Sequence, residues 1–200
     1  MEKEPTKPIN PNLQEVDWSA LPAPEDDGGA AHLNGMAVPS LPLTDTSGEF
    51  VDISALQGKT IIFSYPMTGR PDVALPDNWD MIPGARGCTP QACAFRDTYS
   101  ELRAAGITSV YGLSTQDTDY QREAAGRLHL PFPLLSDSDL KLTQALKLPT
   151  MEVQSMTLLK RLTLVVSDGV IEKTFYPVFP PDQSADMVMN WLNGSIETGV

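Results

Sequence analysis

Short apolar runs recur along this chain at a spacing that leaves room for one helix between each and the next. TIIFSY (60–65), TSVYGLS (108–114) and FPLLSD (132–137) read as strands, the first with the composition of a strand covered on both faces. Between them lie helical patterns. Ala92, Phe95, Tyr99 and Leu102 recur at three- and four-residue steps and predict a helix over 89–104, closed by Gly106. TDYQREAAGRLHL (118–130) puts Tyr120, Ala124 and Leu128 on one face and stops before Pro131. SDLKLTQALKL (138–148) opens on a Ser/Asp cap. RLTLVVSDGVIEKTFYPV (161–178) is two strands around Ser167-Asp168-Gly169, and SADMVMNWLNG (184–194) is a last helix ended by Gly194. Ahead of all of them, alternation through 41–43 and 49–53 around Ser47-Gly48 predicts an N-terminal hairpin. Residues 66–85, rich in proline and glycine, read as loop.

Strands alternating with helices, then a hairpin and a helix, require an α/β fold: a central mixed sheet flanked by helices. The layout fits a thioredoxin-like fold, and no internal repeat is visible. The folded domain is expected over 36–200. Residues 1–35 carry seven acids against two lysines and few periodic apolar positions, so a largely disordered acidic extension is predicted, with Trp18 and Leu21 able to dock on the domain.

A formal net charge of −12 argues against a nucleic-acid partner, whose phosphates such a surface repels. No apolar run approaches the roughly 18–20 residues that span a bilayer, so no membrane partner is expected. The opening residues lack the pattern of a secretory signal or a mitochondrial leader, which makes a cytoplasmic or nuclear setting the default. Thiols rest reduced there, and a disulfide would be transient chemistry.

Both cysteines sit in GARGCTPQACAFRD (84–97). Cys88 falls at the predicted helix N-terminus, with Thr89 and Pro90 in the first turn, where proline is tolerated. Unpaired backbone N–H groups and the helix dipole favour an anion at that place, and a thiolate is the form of cysteine that attacks. Five helical positions separate Cys88 from Cys93 by a rise of about 7.5 Å and a rotation near 140°, or roughly 8–9 Å between Cα atoms. Disulfides need Cα atoms within about 7 Å. Either the two thiols never pair, or the first turn and a half of the helix melts to let them meet. Two cysteines with His32 and His129 make no metal-ligand set, and neither metal nor cofactor is expected. His129 reads as a helix C-terminal residue, Arg96 and Asp97 as a structural ion pair, and Met151 and Met156 as loop residues.

GCTPQACAFRD (87–97) resembles the active-site motif of the Q-type (bacterioferritin-comigratory-like) peroxiredoxins, in the alkyl hydroperoxide reductase/thiol-specific antioxidant superfamily. Three further blocks are similar in the same order: residues 38–66, LPFPLLSD (130–137), and RLTLVVSDGVIEKTF (161–175). The resemblance covers about 36–195. It implies a thioredoxin fold and an oxidoreductase that reduces hydrogen peroxide or organic hydroperoxides. It implies Cys88 as the peroxidatic cysteine, passing through a sulfenic acid, and Cys93 as the resolving cysteine in an intrachain disulfide. Arg161 takes the place of the active-site arginine, thioredoxin that of the reductant, and the family type suggests a monomer. One position departs from the pattern. The threonine expected three residues before the cysteine is Ala85, and about fifteen residues (69–83) are inserted after Pro66 and Thr68. Thr68 is assigned as the replacement hydroxyl; without one reaching Cys88, low activity is expected.

The competing reading is a redox-sensing or binding module that keeps the fold with little peroxidase turnover, suggested by Ala85 and the insertion. A protein-disulfide oxidoreductase is disfavoured by the Cys-x4-Cys spacing, since that chemistry uses Cys-x-x-Cys.

Overall fold

A computed structural model describes Leu13 and residues 16–197 of the chain, with side chains through Gly194. The strands are β1 (Leu43–Asp45), β2 (Phe50–Val51), β3 (Lys59–Ser64), β4 (Ile107–Ser114), β5 (Leu134–Ser136), β6 (Thr150–Val153), β7 (Met156–Leu159), β8 (Leu162–Ser167) and β9 (Val170–Phe175). The α-helices are α1 (Cys88–Asp97), α2 (Tyr99–Ala104), α3 (Thr118–Arg127), α4 (Lys141–Leu146) and α5 (Ser184–Glu197). Seven strands form one mixed sheet in the order β2-β1-β5-β4-β3-β8-β9. β3, β4 and β5 run parallel, as helical crossovers require. β1 and β8 add antiparallel on either side.

Alternation along β3 distributes the core. Ile62 faces a cluster with Leu33, Leu113, Leu135 and Leu164, closed by α4. Ile61 and Phe63 face the opposite cluster, where α1, α2 and α5 bring Phe95, Leu102 and Val188. Phe95 stacks on Phe63 with centroids 4.4 Å apart, fixing α1 against the middle of the sheet. Gly112 in β4 sits where a Cβ would come within 2.5 Å of Leu134 Cδ2 and 2.9 Å of Phe63 Cζ, so the side chains of Leu134 and Phe63 fill the space a side chain there would need.

Besides the end of α5, which runs past Gly194 to Glu197, and the start of α4, which has Leu140 rather than Ser138 or Asp139 as N-cap, three features depart from the sequence reading. The helix expected over 89–104 breaks at Thr98 (φ −92°, ψ −1°) into α1 and α2. Met151 and Met156, read as loop, lie on β6 and β7, a separate antiparallel hairpin turned by Gln154 at φ 55°. The hairpin's Val153 and Leu158 pack with Met67, Trp79 and Ala85, giving the 66–85 segment a small apolar core of its own.

The third departure concerns the extension. Where composition predicts disorder, Ala30 and Leu33 are core residues, and residues 35–38 hydrogen-bond along β9 through Gly35, Met36 and Val38. Asp27 accepts from Lys160 (2.6 Å) and from the Tyr176 hydroxyl (2.7 Å). These long-range partners supply the burial that the local composition lacks. The expectation for residues 1–12, 14 and 15 lies outside the described residues.

Removing the ring of Phe95 should open a cavity between helix and sheet. Phe95→Ala is expected to lose about 3–5 kcal/mol in urea unfolding, with the transition still cooperative.

Candidate active site

The site is built where the C-terminal end of β3, the start of α1 and the residue before β8 converge. Gly87 is the N-cap of α1 at φ 107°, a left-handed conformation that glycine adopts without the Cβ penalty. It offers no capping side chain, so the amides of the first turn stay available to the sulfur of Cys88 or to a ligand beside it. Pro90 contributes no N–H to that turn.

Arg161 stands immediately ahead of β8 and reaches across to the same point. Cys88 and Arg161 are each 3% exposed. Arg161 Nη2 lies 3.3 Å from Cys88 Sγ and 3.2–3.3 Å from the carbonyl oxygens of Gly84, Ala85 and Arg86. Nη1 donates to Gln91 Oε1. Gln91 is fully buried and donates in turn to Ser184 Oγ (3.4 Å), which shares a 2.9 Å hydrogen bond with Thr163. The guanidinium is thus pinned on two sides by neutral acceptors, with no carboxylate in ion-pair reach among the described residues, and its charge is directed at the sulfur. Nε, on the edge it shares with Nη2, is buried and has no hydrogen-bond partner among the described residues.

Cys93 lies five positions along the same intact helix, half-buried, and both thiols are free. Burial pushes the Cys93 thiol up; Arg96 and Arg127 pull it back and Asp97 adds to the rise. Tyr65, at the end of β3, is fully buried. That burial, with the charge at Cys88, pushes its phenol up and keeps it a donor to Gln121 Oε1 at 2.7 Å.

Of the residues the sequence singled out, the structure joins Cys88 and Arg161 directly and holds Cys93 on the same helix. Thr68 is buried on the loop after β3, but its hydrogen bonds lead elsewhere: N–H and Oγ1 donate to Gln116 Oε1 (3.0 and 3.3 Å), and its carbonyl accepts from Tyr120. No hydrogen bond joins Thr68 to Cys88. Ala85, at the departed threonine position, is fully buried against Trp79 and Met67 in the apolar cluster of the 66–85 segment. Arg96 bonds Asp97 and the Leu128 carbonyl, as expected of a structural residue. Gln91 escaped the sequence reading, although a polar side chain three residues after Cys88 on a helix whose other face is buried was the available signal. Among the described residues no cluster of His, Cys, Asp or Glu could hold a metal ion, and no helix is long and apolar enough to cross a membrane.

The family profile described as Redoxin matches residues 33–189. The chain belongs to the Redoxin family, among the Q-type peroxiredoxins. It is 32% identical over 160 residues to the chloroplastic peroxiredoxin Q of Populus jackii, covering 79% of this chain and 67% of that one. It is 29% identical to peroxiredoxin Bcp of Escherichia coli strain K12, covering 79% and 94%. The crystal structure of peroxidoxin BcpB from Mycobacterium tuberculosis superposes with a TM-score of 0.66 at 25% identity, over 82% of this chain and 98% of that one. This membership carries the thioredoxin-like fold and a thiol peroxidase activity of the oxidoreductase class.

Replacing Gln91 leaves a buried guanidinium nitrogen without its acceptor. Gln91→Leu is expected to cost about 1–3 kcal/mol in chemical denaturation and to slow alkylation of Cys88 by iodoacetamide, measured on the reduced protein.

Proposed function

We propose that the chain reduces hydroperoxides at Cys88 and resolves the product with Cys93. The observation that carries this reading is the 3.3 Å approach of Arg161 Nη2 to Cys88 Sγ at the open tip of α1. Fixed donors there favour a negative sulfur and a negative oxygen beside it, without reorganisation during the reaction. The thiolate attacks the nearer peroxide oxygen. A sulfur–oxygen bond forms, the oxygen–oxygen bond breaks, and the departing alkoxide leaves as an alcohol or water once protonated. Nε of Arg161 supplies a further donor for the peroxide oxygens. Cys88 is left as a sulfenic acid, two electrons oxidised.

The second step needs the helix to change. On an intact α1 the two cysteines are five positions apart, so the first turn opens before Cys93 attacks the sulfenic sulfur, forms the disulfide and releases water. A thioredoxin-type dithiol then returns both cysteines to the reduced state. We place this cycle in a monomer, in a reducing cytoplasmic or nuclear setting. Thr68 enters the reaction only if its hydroxyl exchanges Gln116 for the peroxide, and Thr68→Val tests that: a Cys88 oxidation rate equal to the parent's removes it from the site.

The sensing alternative draws on one specific observation, the apolar burial of Ala85 where a hydroxyl is expected. Steady-state peroxide consumption with thioredoxin, its reductase and NADPH separates the two. Clean disulfide formation with negligible turnover selects the sensor.

Cys88→Ser should abolish peroxide consumption, and survival of the parent rate in that variant overturns the assignment. Cys93→Ser should stop after one turnover with a sulfenic acid that dimedone labels. Because burial raises the Cys93 thiol, its reactive anion is scarce at neutral pH and grows as pH rises. Disulfide closure followed by stopped flow should therefore accelerate by up to about tenfold per pH unit through the neutral and mildly alkaline range. A closure rate independent of pH there would place the limiting step elsewhere.

A further inference from the structure

Residues 18–27 lie against the backbone that forms the site. Trp18 Nε1 donates to Asp182 Oδ2 at 2.9 Å, and its ring meets Phe179 edge-on with centroids 6.1 Å apart. Beneath it is Gly87. A Cβ on that glycine would stand 2.7 Å from Trp18 Cη2 and 2.6 Å from Pro181 Cγ, so the N-cap of α1 is enclosed between the indole and the proline. Farther along, Pro24 packs on Gly84, where a Cβ would meet it at 3.5 Å. The Asp27 carboxylate is tied to Lys160, the residue beside Arg161, and the Lys160 and Tyr176 hydrogen bonds hold that carboxyl well below the usual range. One segment thus covers both ends of the 84–87 backbone, whose first three carbonyls receive Arg161.

We infer that Trp18 is a positioning residue that holds the first turn of α1 closed and thereby sets how fast Cys93 reaches oxidised Cys88. The redox half of this inference rests on the function proposed above; the mechanical half does not. Opening the turn moves Gly87 and Cys88, and that movement has to displace the indole. While the turn stays shut the sulfenic acid persists, and two reactions compete for it. Attack by the Cys93 thiol yields the disulfide and water. A second hydroperoxide converts Cys88–SOH into Cys88–SO2H and an alcohol, oxidising the sulfur by two more electrons. A closed latch favours the second path as peroxide concentration rises.

The test uses the full-length chain with Trp18→Ala, and Trp18→Phe as the variant that keeps an aromatic ring. In the reduced protein, hydrogen exchange at the amides of Gln91 and Ala92, the first that the helix itself bonds, should be about tenfold faster in Trp18→Ala, with β3 and β8 unchanged and Trp18→Phe intermediate. In stopped flow, oxidation of Cys88 by hydrogen peroxide should stay within about twofold of the parent. Disulfide closure should quicken by about tenfold, and the sulfinic fraction at excess peroxide should fall. Unchanged exchange at the start of α1, acceleration spread equally through β3 and β8, or faster exchange with an unchanged closure rate each overturns the inference. If Cys88 fails to react with peroxide in parent and variant alike, the peroxidase reading falls, and the exchange data alone decide the latch.

Discussion

The site depends on one buried cation that meets no carboxylate among the described residues and lies against the sulfur of Cys88. Arg161 is enclosed, bonded to three backbone carbonyls and an amide oxygen, all neutral dipoles. Dipoles of this kind compensate the loss of water without cancelling the charge, so the field of the guanidinium stays directed at Cys88. A carboxylate in place of Gln91 would pull that field toward itself. The helix tip acts in the same direction with fixed partial charges, and because Gly87 has no side chain nothing local competes with the sulfur for them.

The rest of the fold brings these two sources of positive potential together. β3 and β8 are antiparallel neighbours in the middle of the sheet, and their paired register ends at Ser64 and Leu162. The chain therefore leaves β3 beside the point where it enters β8. The Ser64 hydroxyl bonds the Lys160 carbonyl at 2.8 Å and receives the Leu162 amide at 3.1 Å, fixing the backbone on both sides of Arg161. On the other side, the Phe63–Phe95 stack sets the height of α1 above the sheet. Sheet register and aromatic packing, together with the 84–86 carbonyls that receive Arg161, fix the distance between guanidinium and sulfur.

Much of this was legible in the residues, and the limits have physical causes. The strands of the central sheet and the helices that join them follow from periodicity and punctuation, because their faces are buried by regular neighbours. Cys88 at a helix tip and Cys93 a turn and a half beyond it could be read directly, and Arg161 could be carried over from the family pattern. The β6–β7 hairpin could not: its apolar residues pack on the inserted segment, a partner supplied by tertiary structure. Docking of Trp18 was open to a reading of the sequence, but that of residues 24–35 was hidden for the same reason, since Pro24 and Asp27 find Gly84, Lys160 and Tyr176 far away in sequence. Thr68 shows the converse limit. The family resemblance pointed to a hydroxyl near the right strand, but its partner Gln116 comes from the loop after β4, a contact made only by the fold.

The ordering of contacts along the chain has its own consequence for a polypeptide still being made. Cys88 and Arg161 are 73 residues apart, and the arginine arrives with β8, a strand that cannot pair until β3 and everything between has been synthesised. Non-local pairings of this kind come late in folding. A nascent or truncated chain that stops short of β8 thus lacks the guanidinium beside Cys88, and the pairing of cation and sulfur emerges only in the finished molecule.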